Sequence, residues 1–335
     1  MAWPESLNSH IGPQRCMESP EALLTSTAEV RPIVKRLALA LEVQFLILCG
    51  LSHPAFTTPP NYATRLSHLL TLKSFTPLWC PTITTEPTEQ TLSSLALHLS
   101  PHSLSLLSAI AFPSRTAITA FSTAALSLTT PLLPPREDTF IIAALGKDVE
   151  LIDSTFLLSF CGDDISRVNV LVPTIATPSG LVQLLGTGRG RKVLCPVPRV
   201  VGLEEPPVVP DFLRELEAAG WVPIRVDAYE TRWLGPACGK GVVELSEGRL
   251  LDAMVFTSSG EVEGLLKSLR EFGWDWEMVR RRWPHLVVAA HGPVTAAGAE
   301  RLGVTVDVVS GRFDSFQGVV DAVEAKLRGL DSSCM

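Results

Sequence analysis

Four short segments of this sequence place small hydroxyl residues, glycines and a few cations where an apolar run gives way to a helix. They are Ser114-Arg115-Thr116, Gly146-Lys147-Asp148, Thr257-Ser258-Ser259-Gly260 and Gly292-Pro293-Val294-Thr295. The runs before them, Ser108–Phe112, Phe140–Leu145, Ala253–Phe256 and Leu286–Ala290, read as buried strands. At the carboxyl end of such a strand, free backbone N–H groups and a helix dipole meet, and ligands of open α/β sheets bind there. Donors of that kind suit a polyanion, with Arg115 and Lys147 the nearest cations of the first half. One such loop is merely a turn and an N-cap. Four of them in two matching pairs argue for a binding cleft, with Ser114, Arg115, Gly146, Lys147, Thr257, Ser258, Ser259, Gly292 and Thr295 as its candidate residues.

Other arrangements that resemble chemistry do not hold up. Gly235–Gly241 is one residue short of a P-loop, ends in glycine instead of Ser or Thr, and follows no apolar strand directly. Gly186-Thr187-Gly188-Arg189-Gly190 precedes a strand rather than following one, which suits a linker. His98 and His102 have ligand spacing, but Pro101 ends the helix between them and no acid accompanies them. The seven cysteines are scattered without a CxxC pair, so no metal is expected; they read as reduced, mostly buried thiols. Trp274, Trp276 and Trp283 beside Arg280–Arg282 fit a basic helix face with core aromatics. No GxSxG elbow is present.

The elements that position the four loops form a repeat. Leu48-Cys49, Pro77 and Gly146 find partners at Leu194-Cys195, Pro223 and Gly292, an offset of about 146 residues. Ala109–Ser114 echoes Ala253–Ser258, Phe140–Gly146 echoes Leu286–Gly292, and Asn169–Val172 echoes Val306–Val309. Val43–Cys49 is a first buried strand, followed by a helix over Tyr62–Leu72. Phe75–Thr85, threaded by Pro77 and Pro81, and Val222–Thr231 are edge or bridging strands. Strands alternating with helices at this spacing predict two doubly wound parallel sheets facing a shared cleft.

Composition agrees. A chain of 335 residues, 46% hydrophobic and 19% charged, has room for two packed domains. The net charge of −7 argues against nucleic acid, which needs a basic field, but allows a small anion held by local donors. Leu37–Leu51 is too short to span a bilayer and carries Glu42 and Gln44, so no membrane is expected. Residues 1–42 mix acids with bases and read as a poorly ordered or targeting extension. A soluble monomer in the cytoplasm or a plastid stroma is expected.

The stretches Asp252–Ser258, Val287–Ala296 and Leu302-Gly303-Val304 resemble the C-terminal half of the uroporphyrinogen-III synthase family, and Gly220–Thr231 resembles its inter-domain strand with a Tyr-x-Thr ending. The likeness covers about residue 43 to residue 328. It implies two similar flavodoxin-like domains joined by a two-stranded antiparallel ladder. On this sequence, 43–74 with 234–330 would form domain 1, 86–221 domain 2, and 75–85 with 222–233 the ladder.

The reaction implied is cyclisation of hydroxymethylbilane to uroporphyrinogen III with loss of water and inversion of ring D, without a cofactor. Positioning and electrostatics supply most of what such chemistry demands. Tyr229, a phenol beside the cleft, is the residue expected to assist departure of the hydroxyl, and the four loops would hold the eight carboxylates. The sequence departs from the family pattern in several places. Cys49-Gly50 stands where a Thr-Arg pair follows the first strand, and Gly-x-x-Thr becomes Gly146-Lys147-Asp148-Val149, losing a hydroxyl at Val149. Phe-Thr-Ser becomes Phe112-Pro113-Ser114, and Gly-Pro-Thr-Thr becomes Gly292-Pro293-Val294-Thr295. A non-catalytic tetrapyrrole-binding paralogue, or a two-domain binder of another small anion, therefore stands beside the enzyme reading.

Overall fold

The computed structural model describes residues 52–128, 131–135, 138–245 and 251–331. The extension over 1–42 and the run Val43–Cys49 lie outside the described residues. Strand β1 (Pro54–Phe56) leads into helix α1 (Pro60–Leu72), whose Leu66 and Leu70 are buried. Pro60 suits the first helical position, where its missing N–H has no partner to lose. Two short strands follow, β2 (Leu78–Trp79) and β3 (Ile83–Glu86). Helix α2 (Glu89–Ala96) is capped by Thr88, and a brief α3 (Pro101–Ser105) brings the chain to β4 (Ala109–Phe112), α4 (Arg115–Ala125) and β5 (Phe140–Ala144).

A 3-10 turn over Gly146–Leu151 precedes α5 (Ser154–Cys161), β6 (Val168–Leu171), α6 (Pro178–Leu185) and the long β7 (Lys192–Val201). Then come α7 (Val208–Ala218), β8 (Val222–Trp233), α8 (Ala237–Val243), β9 (Ala253–Phe256) and α9 (Ser259–Arg270). The chain closes with α10 (Trp276–Arg282), β10 (Val287–Ala290), α11 (Pro293–Arg301), β11 (Val308–Val309) and α12 (Gln317–Asp331).

Two sheets result. One runs β2-β1-β9-β10-β11 with every neighbour parallel, the flavodoxin order. The other runs β8-β7-β4-β5-β6, again parallel, with β3 added antiparallel along β8. The repeat is thus real: β4, β5 and β6 hold the places in their sheet that β9, β10 and β11 hold in theirs. Both faces of each sheet are covered. Ile110 and Phe112 enter one core with Phe121, Phe156 and Phe160, while Ala109 and Ala111 face Leu181, Phe212 and Leu216. Met254 and Phe256 pack with Leu265 and Trp276, while Ala253 and Val255 meet Leu66, Leu70 and Val323. Alternation with period two on strands buried from both sides produces this division.

Three expectations need correction. The strand paired with β9 is Pro54–Phe56, so the counterpart of Leu194 is Ala55 and not Leu48. Phe75–Thr85 is not one strand. Pro81 lacks an N–H, and the chain breaks there into β2, in the first sheet, and β3, in the second. Third, β3 and β8 do pair antiparallel, Ile83 opposite Trp233 and Glu86 opposite Glu230, but the pair does not stand alone. The end of β7 continues along β8 as far as Val201 opposite Arg232, so three strands run through this region.

Candidate active site

The carboxyl ends of both sheets face one cleft of about 420 Å³. All ten residues singled out from the sequence line it: Ser114, Arg115, Gly146, Lys147, Tyr229, Thr257, Ser258, Ser259, Gly292 and Thr295. The second sheet contributes the loops after β4, β5 and β6 with the middle of β7 and β8. The first contributes the loops after β1, β9, β10 and β11.

Tyr229 owes its position to an irregularity in β8. Val197 pairs with Asp227 but Pro198 pairs with Tyr229, so Ala228 is an extra residue. Pro198 has no N–H for a regular ladder, and a bulge re-aims the side chains that follow it. The Tyr229 ring is buried beside Val226 and Ala228, and its hydroxyl shares a 2.9 Å hydrogen bond with Ser114 Oγ. Burial pushes this phenol well above its ordinary range, against the Ser114 hydrogen bond, with Tyr62 and Asp148 adding a smaller upward push. It stays protonated, and either hydroxyl of the pair can be the donor. Thr231, two residues on and on the same face, also lines the cleft.

Ser114 is the N-cap of α4, as its place after β4 suggests, and accepts from Ala117 N at 3.2 Å. The next turn holds Thr116, whose Oγ1 lies 3.1 Å from the hydroxyl of Tyr62 on α1. Tyr62 and Tyr229 are the chain's two tyrosines, and both line the cleft. Only Tyr229 stands out in the sequence, because Tyr62 sits in an ordinary amphipathic helix pattern.

Gly146 has φ +46, a left-handed conformation that favours glycine, and a Cβ there would meet Ala176 at 3.4 Å and Asp314 at 3.5 Å. The loop after β5 thus touches the loop after β11 across the cleft. Instead of opening an α-helix, Gly146-Lys147-Asp148 starts the 3-10 turn, and α5 begins only at Ser154, capped by Asp153. This changes which side chain reaches the cleft. Val149 packs against the core, so no hydroxyl is missing from the cleft at that position, and Asp148 lines it instead. Burial raises the Asp148 carboxyl to about 6, although Arg115, 3.9 Å away, and Arg65 pull it down.

The loop after β9 is already engaged. Glu261, fully buried on the first turn of α9, accepts from Thr257 N at 3.0 Å, Thr57 Oγ1 at 2.8 Å, Ser258 Oγ at 3.3 Å and also Thr257 Oγ1. Burial raises its pKa against these donors. Ser258 and Glu261 are the S-x-x-E signature of a capped helix. The hydroxyls of Thr257 and Ser258 therefore serve an internal carboxylate. Thr57 and Thr58, not Cys49-Gly50, follow the first described strand. At α11 the N-cap is Gly292, with no side-chain cap, and Thr295 Oγ1 donates to Thr257 O at 3.0 Å. A Cβ at Gly292 would lie 3.0 Å from that of Phe313.

His291 also faces the cleft, edge-on to Phe316, and among the described residues its buried Nδ1 has no hydrogen-bond partner. Burial lowers it to about 4, so it is neutral at neutral pH. Among the described residues, no three His, Cys, Asp or Glu converge as a metal site would require, and no helix is long and apolar enough to cross a membrane.

Two flavodoxin-like sheets with their strand ends turned to one cleft define the class, a two-sheet α/β protein. The profile of the uroporphyrinogen-III synthase HemD family matches residues 64–319, and the chain belongs to that family. The uroporphyrinogen III synthase of the extremely thermophilic bacterium Thermus thermophilus, in a mutant selenomethionine form, is similar at 15% identity and TM-score 0.48, over 84% of this chain and 98% of that one. The enzyme of Helicobacter pylori is similar at 12% identity and TM-score 0.40, over 85% and 100%. No curated protein matches the sequence.

Proposed function

We propose that this chain cyclises hydroxymethylbilane to uroporphyrinogen III, with loss of water and inversion of ring D, on the route to haem or chlorophyll. The observation that carries this is the convergence of both tyrosines and four strand-end loops on one cleft. Arg65, Arg115, Lys147 and the N-terminus of α11, which lacks a side-chain cap, offer the substrate's carboxylates charge and backbone donors. Tyr229 assists departure of the hydroxyl by donating a hydrogen bond, held in place by Ser114. The reaction needs no cofactor, because the pyrrole rings themselves supply the electrons.

We propose further that the sheets belong to two domains, 43–74 with 234–330 and 86–221, that reorient about 75–85 and 222–233. The Tyr62–Thr116 contact and the approach of Gly146 to Asp314 would then part to admit the substrate.

One observation favours a non-catalytic tetrapyrrole-binding role instead: Glu261 occupies the donors of the β9 loop that a carboxylate of the ligand would need. Anaerobic calorimetry with uroporphyrinogen III tests the shared core of both readings. Saturable binding that weakens as salt rises, and weakens further in Lys147→Ala, supports them. Absence of binding removes both.

A further inference from the structure

One carboxylic acid on the turn after β5 lines the cleft. This is Asp148, with its side chain 28% exposed and a carboxylate oxygen 3.9 Å from Arg115 Nη1 at the start of α4. It shares the cleft lining with Tyr62 and Tyr229, and its charge gives both phenols a small upward push. Arg115 is a partial partner only, since at 3.9 Å it makes no close ion pair, and partly exposed pairs of this kind hold a charge weakly. We propose that Asp148 gives its proton to the departing hydroxyl and takes one back when the macrocycle closes.

This inference rests on the synthase reading, and its chemistry balances within it. The proton of Asp148 goes to the hydroxyl, the C–O bond breaks and water leaves. The adjoining pyrrole nitrogen supplies the electron pair that stabilises the resulting cationic carbon. The substituted α-carbon of ring D bonds to that cationic carbon, and its old bond to the bridge from ring C breaks, with the ring C pyrrole stabilising the new cationic carbon. This bridge carbon bonds to the free α-carbon of ring D, which then loses its hydrogen as a proton to the Asp148 carboxylate, so that the pyrrole regains its aromaticity. One carboxyl thus serves as acid and then as base, and the net change is loss of one water.

Tyr229 suits this part less well, because burial raises its phenol and weakens it as a proton donor. A carboxyl raised to about 6 by burial, by contrast, keeps a working fraction of protonated form near neutrality and is a much stronger acid. The groups facing it are Arg115 from α4, Arg65 and Tyr62 from α1, Tyr229 from β8, Lys147 and Glu150 from its own turn, and Asp314 and His291 from the opposing loops. A polyanionic ligand brought into this setting disfavours the carboxylate further, so binding should itself load the proton.

Calorimetry of uroporphyrinogen III binding at pH 7, in buffers of different ionisation enthalpy, reads that loading directly. The parent chain should take up a proton on binding, by up to about one equivalent, and Asp148→Asn should bind without uptake. The kcat/KM for isomer III should fall as pH rises above 6 in the parent. Asp148→Asn should lose at least about 10²-fold in kcat and the pH dependence with it, and Asp148→Glu should restore part of both. Binding by the parent with uptake unchanged in Asp148→Asn, or turnover by that variant with the parent's pH profile, would overturn the assignment alone. No binding by the parent would remove the synthase reading, and this assignment would go with it.

Discussion

The hydroxyls of Ser114 and Tyr229 lie 2.9 Å apart, so the N-cap of α4 and the bulged middle of β8 share a hydrogen bond. The same Ser114 oxygen accepts from Ala117 N, which fixes the hydroxyl from both sides. Ring and hydroxyl of Tyr229 therefore have separable tasks: the ring fills the core around Val226 and Ala228, and the hydroxyl reaches the cleft.

Tyr229→Phe keeps the ring. By removing the hydrogen bond to the departing hydroxyl it should lower the rate of isomer III formation by about 10²-fold while changing stability by only about 1 kcal/mol. Tyr229→Ala should cost about 3–5 kcal/mol through the cavity it leaves. Ser114→Ala should cost about 1 kcal/mol through the lost cap. Urea melts of the three variants with isomer-resolved rates decide the matter. A fully active Tyr229→Phe would leave the residue with a packing role only.

Asp148 gives a stability prediction with a definite sign. Its folded pKa, about 6, lies above the ordinary carboxylate value of 3.8, so the folded state holds the proton more tightly. The stability this contributes is full below pH 4 and is lost as pH rises through 6. Asp148→Asn, locked in a neutral form, should therefore melt later than the parent above pH 6, by the equivalent of about 1–2 kcal/mol, with little gain near pH 4. His291 acts in the opposite sense: lowered to about 4, it contributes stability above its ordinary value that is lost as pH falls through 4. Melting curves of Asp148→Asn and of His291→Gln between pH 4 and 8 separate the two. A loss of stability in Asp148→Asn at pH 7.5 would contradict this account.

Removing the internal carboxylate of the β9 loop should trade stability for affinity. Glu261→Ala frees the hydroxyls of Thr57, Thr257 and Ser258 and removes a buried carboxyl from the cleft. It should cost about 1–3 kcal/mol through lost hydrogen bonds and cap, and should tighten binding of the octacarboxylate several-fold. Chemical denaturation and calorimetry on the same variant test both halves, and weaker binding by a folded Glu261→Ala would contradict the prediction.

Much of this was legible in the sequence because repeats and strand ends have local signatures. The echo of Ala109–Ser114 in Ala253–Ser258 placed two central strands and their caps correctly. Apolar content alone did not find the strand beside β9. Val43–Cys49 is the more apolar run, yet Pro54–Phe56 lies at the right distance before Pro60 and pairs with β9. Pro81 marked a break but did not say that the two pieces would join different sheets, which depends on pairing far along the chain. The functional groups that escaped notice did so for related reasons. Tyr62 looks like any residue of an amphipathic helix, His291 like part of a turn, and Asp148 like a helix-opening acid. Only the 3-10 turn, which sends Val149 to the core, brings Asp148 to the cleft. Glu261 could have been suspected, since Ser258-x-x-Glu261 is a capping signature that competes for the hydroxyls read as ligand donors.

The central claim is turnover, and the product isomer tests it most directly. Hydroxymethylbilane generated in place closes unaided to uroporphyrinogen I, so only a catalyst that inverts ring D yields isomer III. The full chain, added to freshly formed substrate under anaerobic conditions, should shift the product to isomer III in proportion to its concentration. Isomer I alone, formed at the unassisted rate by a folded chain that binds uroporphyrinogen III, would contradict the account and leave a tetrapyrrole-binding member of the family that lacks the reaction.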